Sequence, residues 1–224
     1  MKNRIGISAD DITGADDIGL MFAKNGFKVG IFPLSKTEYI DSKDELDVVV
    51  IDTDSRFDEK GKAALKVHKA AHKLMELNCD MYYKKTCSVF RGNIGAEFDA
   101  MQDEIKQKCS MVVLGFPKNG RTTVNGIHYV YGRLLENSQF RNDPVNPMRI
   151  SSLKKIMQKQ TSRKIDNITY HDLDSGYDFA FKRMLSLKEK ASYIIFDVRD
   201  QNDLKLISRI IKDERNICGS SAIC

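Results

Sequence analysis

The sequence predicts an α/β fold: a doubly wound, mostly parallel sheet with an inserted β-hairpin. Three observations point there. Short apolar runs of strand length alternate with longer stretches of helical period along the chain. One run, LDVVVID at 46–52, is continuous enough to be buried on both faces, as strands of a helix-covered parallel sheet are. An Asn125-Gly126 pair sits between β-branched and aromatic runs in GRTTVNGIHYVYG. Asn-Gly readily takes the positive φ angles of a type I′ turn, so this stretch predicts a hairpin.

The elements follow in order. RIGISA (4–9) is a short apolar strand. Residues 14–26 set Ile18, Met21 and Phe22 at near-helical spacing and end on a glycine suited to a helix C-cap. KVGIF (28–32) is a second strand and 46–52 the third. Residues 58–78 make a long helix, with Ala64, Val67, Ala71, Leu74 and Leu77 marking one stripe. DMYYKK (80–85) is a fourth strand, 94–106 a helix and SMVVLG (110–115) a fifth strand. After the hairpin comes a polar loop with two prolines, ENSQFRNDPVNPMRISS, where Ser151 or Ser152 can cap a helix reaching Gln160. NITYHDL (167–173) reads as a strand, 178–190 as a helix, SYIIFDV (192–198) as a strand and 201–213 as a helix. The right-handed crossover rule puts helices on both faces and functional loops at the strands' carboxyl ends.

Composition narrows the function classes. The 224 residues suffice for one large domain or two small ones, and for a core that needs no disulfides. No apolar run reaches the roughly eighteen residues of a membrane span. The N-terminal MKNRIGISADD enters a strand pattern without the apolar core of a signal peptide, so a cytoplasmic location is expected. The formal net charge of +5 is a weak excess that suits a small anionic ligand as well as nucleic acid. No basic stripe with interleaved aromatics marks a nucleic-acid surface. Cys79, Cys87, Cys109, Cys218 and Cys224 form no CxxC pair or Cys/His cluster, which predicts free thiols and no zinc site. His68 and His72 stand at i,i+4 and could hold a metal, but no third ligand is apparent nearby, and a solvated helix face is the simpler expectation.

The chemistry gathers at strand exits. Strand one ends in Asp10-Asp11-Ile12-Thr13-Gly14, strand three in Asp52-Thr53-Asp54-Ser55-Arg56, and strand four in Lys84-Lys85-Thr86-Cys87-Ser88 with Arg91-Gly92-Asn93 beyond. Strand five ends in Gly115-Phe116-Pro117, followed by Gly120-Arg121-Thr122-Thr123. One polar exit is ordinary, but several at one end of a sheet predict a binding crevice. Arginine and lysine offer donors to a carboxylate or phosphate. Aspartates accept hydrogen bonds from sugar hydroxyls, and a small polyhydroxylated anion needs both. Each cluster also has a plainer reading. Asp10 or Asp11 can cap the following helix, Thr53 and Ser55 can form turns, and Lys84 can be a strand-edge lysine. GFPKNGRT (115–122) fits a Walker A loop except for Arg121 in place of lysine. That loop should open into a helix, whereas a hairpin pattern follows here. Asp10 and Asp11 could bind magnesium, but adjacent carboxylates often point different ways.

At these same residues the chain resembles the four-carbon acid sugar kinase family. The matching motifs are ADDITGADD (9–17), DTDSR (52–56), YKKTCSVFRGNIGAE (83–97), GFPKNGRTTVNGIHYVYGRLL (115–135) and DPVNP (143–147). The resemblance implies an N-terminal acid-sugar-binding domain that works with a C-terminal nucleotide-binding domain. It implies threonate, erythronate or 3-oxo-tetronate as substrates, with ATP and Mg held mainly by the nucleotide domain. Asp10, Asp11, Arg56, Lys85, Thr86, Cys87, Ser88 and Arg91 would face the sugar acid. Arg56, Lys85 and Arg91 would take its carboxylate, and Asp10 and Asp11 its hydroxyls or a proton. Two departures stand out. The family motif usually reads KKTDSTLRGN, whereas this chain has Cys87 and Val89-Phe90. The last residues, 217–224, resemble the glycine-rich entry to the second domain. The resemblance therefore implies an acid-sugar-binding domain at 1–216 and the start of a linker at 217–224. The nucleotide domain would be supplied in trans or lost, and a homo-oligomer is left open. The alternative expectation is a non-catalytic, degenerate sugar-acid-binding module.

Overall fold

The computed structural model describes residues 4–41 and 43–223; the expectations that touch residues 1–3, Ser42 and Cys224 lie outside them. The chain opens with β1 (Ile5–Ala9), α1 (Ile12–Lys24), β2 (Val29–Pro33), β3 (Val48–Asp52), α2 (Lys60–Glu76), β4 (Met81–Lys85), α3 (Ile94–Glu104) and β5 (Ser110–Val113). A small three-stranded antiparallel sheet follows: β6 (Arg121–Val124), β7 (Ile127–Val130) and β8 (Arg133–Leu134). The chain continues through α4 (Leu153–Gln158), β9 (Ile165–Ile168), α5 (Tyr170–Asp174), α6 (Tyr177–Lys188), β10 (Tyr193–Phe196), α7 (Gln201–Ile211) and β11 (Asn216–Gly219). The large sheet has eight strands in the order β2-β3-β1-β4-β11-β5-β10-β9, all paired in parallel.

Strand alternation divides the core between the two faces. Ile7, Val48, Val50 and Met111 pack with Ala15 and Ile18 of α1 and with Met184 and Ile207 of α6 and α7. Val49 and Ile51 pack with Val67, Ala71 and Leu74 of α2 and Met101 of α3. Val112, Tyr193 and Ile195 pack with Phe98 of α3 and Ile156 of α4. Helices thus cover both faces, and β3 is buried along its whole length as its apolar run requires.

The Asn125-Gly126 turn has φ of 51° and 71°, as a type I′ turn demands. Its two backbone N–H groups donate to the Asp197 carboxylate at the end of β10, at 2.6 and 2.8 Å. That carboxylate also accepts from the Tyr170 N–H at 3.0 Å, so it clamps the small sheet to the large one. The Walker-like stretch turns through Pro117–Asn119 and enters β6, not a helix. His68 and His72 both reach Glu104 of α3, at 2.5 and 2.8 Å, and tie α2 to α3.

Two expectations are corrected. Residues 167–173 are not one strand: β9 ends at Ile168, and a capping box between Thr169 and Asp172 starts α5. Residues 217–224 do not begin as a linker, because Asn216–Gly219 form β11 inside the sheet, between β4 and β5. Cys218 is fully buried, and Asn216 Nδ2 donates to Ser110 Oγ at 2.7 Å. An apolar pair followed by Gly-Ser-Ser looks like a linker from sequence, but here the glycine is a packing requirement. A Cβ at Gly219 would lie 1.9 Å from the Val113 carbonyl oxygen. Gly219→Ala is therefore expected to lower stability by roughly 3–5 kcal/mol in urea unfolding. A loss below about 1 kcal/mol would mean that β11 is not seated this tightly.

Candidate sugar-acid site

Register brings the polar exits level. Ala9 pairs with Asp52 of β3 and Lys85 of β4, and Lys85 pairs in turn with Gly219 of β11. The strands β2 and β3 lie on one side of β1 and β4 onward lies on the other, so the β1–β4 boundary is a topological switch point. Open α/β sheets bind ligands at the carboxyl ends of strands at such a point. A cavity of ≈ 170 Å³ opens there. It is lined by Asp11, Thr13, Gly14 and Asp17 from α1 and its cap; by Arg56; by Lys85, Cys87, Ser88 and Arg91; by Phe116 and Asn119; and by Ser220 and Ser221 after β11.

A second layer of charge lies behind this wall. Asp10 is 1% exposed and is held bidentately by Arg56, with Nε to Oδ2 and Nη2 to Oδ1 both at 2.9 Å. Arg56 Nη1 reaches Asp11 Oδ2, and Asp11 Oδ1 caps α1 by accepting from the Gly14 N–H at 2.8 Å. Burial opposes the Asp10 charge, but Arg56, Lys84 and Lys85 more than offset it and hold this carboxyl below its ordinary range. Burial likewise opposes the Arg56 charge, and Asp10 reverses that, so its pKa is raised. Lys84 is wholly buried and meets Glu97 of α3 at 2.8 Å, while Ser55 Oγ donates to the same carboxylate at 2.7 Å. Burial pushes the Glu97 carboxyl up. Thr86 is also fully buried and turns its hydroxyl toward Asp10 at 3.4 Å.

Of the eight residues singled out from sequence, Asp11, Arg56, Lys85, Cys87, Ser88 and Arg91 line the cavity. Asp10 and Thr86 stand behind it. Arg56 spends Nε, Nη1 and Nη2 on the two aspartates. Lys85 is different. It is 4% exposed and its Nζ donates to the Thr86 carbonyl at 3.0 Å. Burial lowers its pKa, with Asp10 and Asp11 pulling the other way. Arg91 is aimed by two partners: Nη1 donates to Asp143 at 2.7 Å and Nε to Cys87 Sγ at 3.3 Å, while its plane lies 5.2 Å from the Phe140 ring. Pro144 and Pro147 thus belong to a loop that holds Arg91. Asp143 itself accepts from the Val145 and Asn146 N–H groups. Val89 and Phe90 are core residues, with Phe90 edge-on to Phe98 at 5.9 Å, so of the motif's departures Cys87 alone faces the cavity.

Thr13, Gly14, Asp17, Phe116, Asn119, Ser220 and Ser221 were not singled out as site residues. Asp17 closes the ADDITGADD motif one helical turn beyond Gly14, a spacing that puts both on one face. Ser220 and Ser221 carry the polar-exit signal of the other strands, concealed by the linker reading. A larger cleft of ≈ 940 Å³ adjoins across Asp11, but its Lys62 and Lys66 are paired with Asp58 at 2.6 Å each. Among the described residues, no group of three His, Cys, Asp or Glu side chains could hold a metal. Arg56→Met should strand the Asp10 carboxyl in the interior and lower stability by about 3–5 kcal/mol in urea unfolding. A cost near zero would show that the pair is not the brace described.

Comparison with known proteins agrees with this architecture. A 3-oxo-tetronate kinase of Haemophilus influenzae is 30% identical over 224 residues, covering 98% of this chain and 54% of the kinase. A D-erythronate kinase of Heliobacterium modesticaldum is 30% identical over 204 residues, covering 90% of this chain and 46% of the kinase. A solved Haemophilus influenzae structure superposes with a TM-score of 0.91 at 29% identity, over 97% of this chain and 54% of that one. The chain spans about half the length of the curated relatives it matches, and the part it matches is the N-terminal domain of four-carbon acid sugar kinases. The model of one family, the sugar-binding N-terminal domain, matches residues 5–224, and the chain belongs to that family.

Proposed function

We propose that the cavity binds a four-carbon sugar acid, and that the chain is the acceptor-binding half of an ATP-dependent sugar-acid kinase. The observation that carries this reading is the company the cavity keeps. Lysine, arginine, serine and asparagine donors share a ≈ 170 Å³ space with aspartates, in a chain of a sugar-binding family. Donors alone would suit any small anion. Adding carboxylate acceptors suits one that also carries hydroxyls.

In this reading Arg91 takes the acid's carboxylate, Ser88, Asn119 and Ser220 orient it, and the Lys85 ammonium adds the cavity's second positive charge from the side of Gly14. Arg56 braces the wall. A nucleotide-binding domain, in the same polypeptide or in another, brings ATP and its magnesium, which supply the phosphoryl group. The chain described here then contributes position: it fixes the acceptor hydroxyl and shields it from water, the larger part of what phosphoryl transfer asks of a protein.

Isothermal titration calorimetry with threonate and erythronate tests the reading on this chain alone. Binding of at least one is expected, weakened about tenfold or more by Arg91→Ala, since a charge-assisted hydrogen bond is lost. No heat with either acid, from a folded protein, would overturn it. The buried Lys85 adds a pH signature. Only its protonated form attracts the acid, and its pKa lies below the usual lysine value. Affinity should therefore fall as pH rises, before an exposed lysine would titrate, and Lys85→Arg should flatten that fall.

A further inference from the structure

We propose that Asp17 is the residue that recognises a hydroxyl of the bound acid, at the end away from its carboxylate. This rests on the sugar-acid reading and deepens it. A carboxylate only accepts hydrogen bonds, whereas a hydroxyl accepts one and donates another. The hydroxyl end therefore needs a donor beside a free acceptor.

The cavity has two aspartates, and one is already committed. Asp11 gives Oδ1 to the Gly14 N–H and Oδ2 to Arg56. Asp10 is behind the wall, with both oxygens on Arg56. Asp17 lines the cavity, and among the described residues it has no hydrogen-bonding or ionic partner. It is the one charged acceptor left open to a ligand among the described residues that line the cavity.

Lys85 supplies a donor against the same face of α1. A Cβ built on Gly14 would lie 2.9 Å from Lys85 Nζ, so the ammonium rests on the Gly14 position. Gly14 and Asp17 are i,i+3 on α1 and share a face. A hydroxyl placed there accepts from Lys85 and donates to Asp17. The wall that carries Ser88, Arg91 and Asn119 offers no carboxylate to the cavity, because Asp143 is spent on Arg91 and on its own turn. That wall suits the acid's carboxylate. The neighbouring Asp16 does not line the cavity, which supplies an internal control.

The test compares two ligands by calorimetry: threonate, and the analogue that lacks only its terminal hydroxyl. The proteins are the wild-type chain, Asp17→Asn and Asp16→Asn. Asp17 is exposed and unpaired among the described residues, so its substitution leaves the fold intact. The wild type should prefer threonate by about tenfold or more. Asp17→Asn should bind both ligands almost equally, and Asp16→Asn should keep the wild-type ratio. A wild type without preference, or an Asp17→Asn protein that keeps it, overturns the assignment while leaving sugar-acid binding in place. A wild type that binds neither threonate nor erythronate overturns both; one that binds erythronate alone is tested with erythronate and its analogue lacking the terminal hydroxyl.

Discussion

Everything at this site leans on one buried ion pair. Asp10 and Arg56 come from different strand exits and meet through two hydrogen bonds in a place that water barely reaches. Neither charge could stay there alone, since an unpaired buried ion is costly. The backbone joins in: the N–H groups of Ser55 and Arg56 donate to the Asp10 carbonyl at 3.0 and 3.2 Å. The exits of β1 and β3 are thereby locked together. The loop after β4 packs on this lock, because a Cβ at Gly92 would lie 3.1 Å from the Arg56 carbonyl oxygen.

Around that lock the charges sort into two layers. The inner layer, Asp10, Arg56, Lys84, Glu97 and Ser55, is satisfied within the protein. It fixes backbone and leaves little to offer a ligand. The outer layer, Lys85, Arg91, Ser88 and Asp17, keeps donors and an acceptor facing the cavity. Such a division holds the supporting groups in place before any ligand arrives, which is what a pre-organised site requires. It also gives Arg56 a different part from the one its charge suggests. Its guanidinium holds the two aspartates, and in the proposed reading Arg91, not Arg56, takes the carboxylate.

Most of this was legible in the sequence. The period of the apolar runs predicted the parallel sheet and its helical covers, and Asn125-Gly126 predicted the turn. The level of the strand exits was implied by their shared polarity. What was lost had physical causes. The strand β11 is four residues long and closes on Gly-Ser-Ser, so only its place between β4 and β5 reveals it. The Thr169–Asp172 capping box lay inside a stretch whose composition suits a strand. The division of labour between Asp10 and Asp11 depends on which rotamer faces Arg56, and no spacing rule encodes that. Cys87 was legible as a departure from the family motif. Its contact with Arg91 Nε at 3.3 Å needed coordinates.

The measurement that reaches the central claim most directly is a crystal structure of this chain grown with threonate or erythronate at saturating concentration. The account predicts the acid in the cavity at the carboxyl ends of β1, β4 and β11, its carboxylate near Arg91 and Ser88, with the Asp10–Arg56 pair unbroken behind it. An acid bound elsewhere, or one that displaces Asp10 to pair with Arg56 itself, would contradict it.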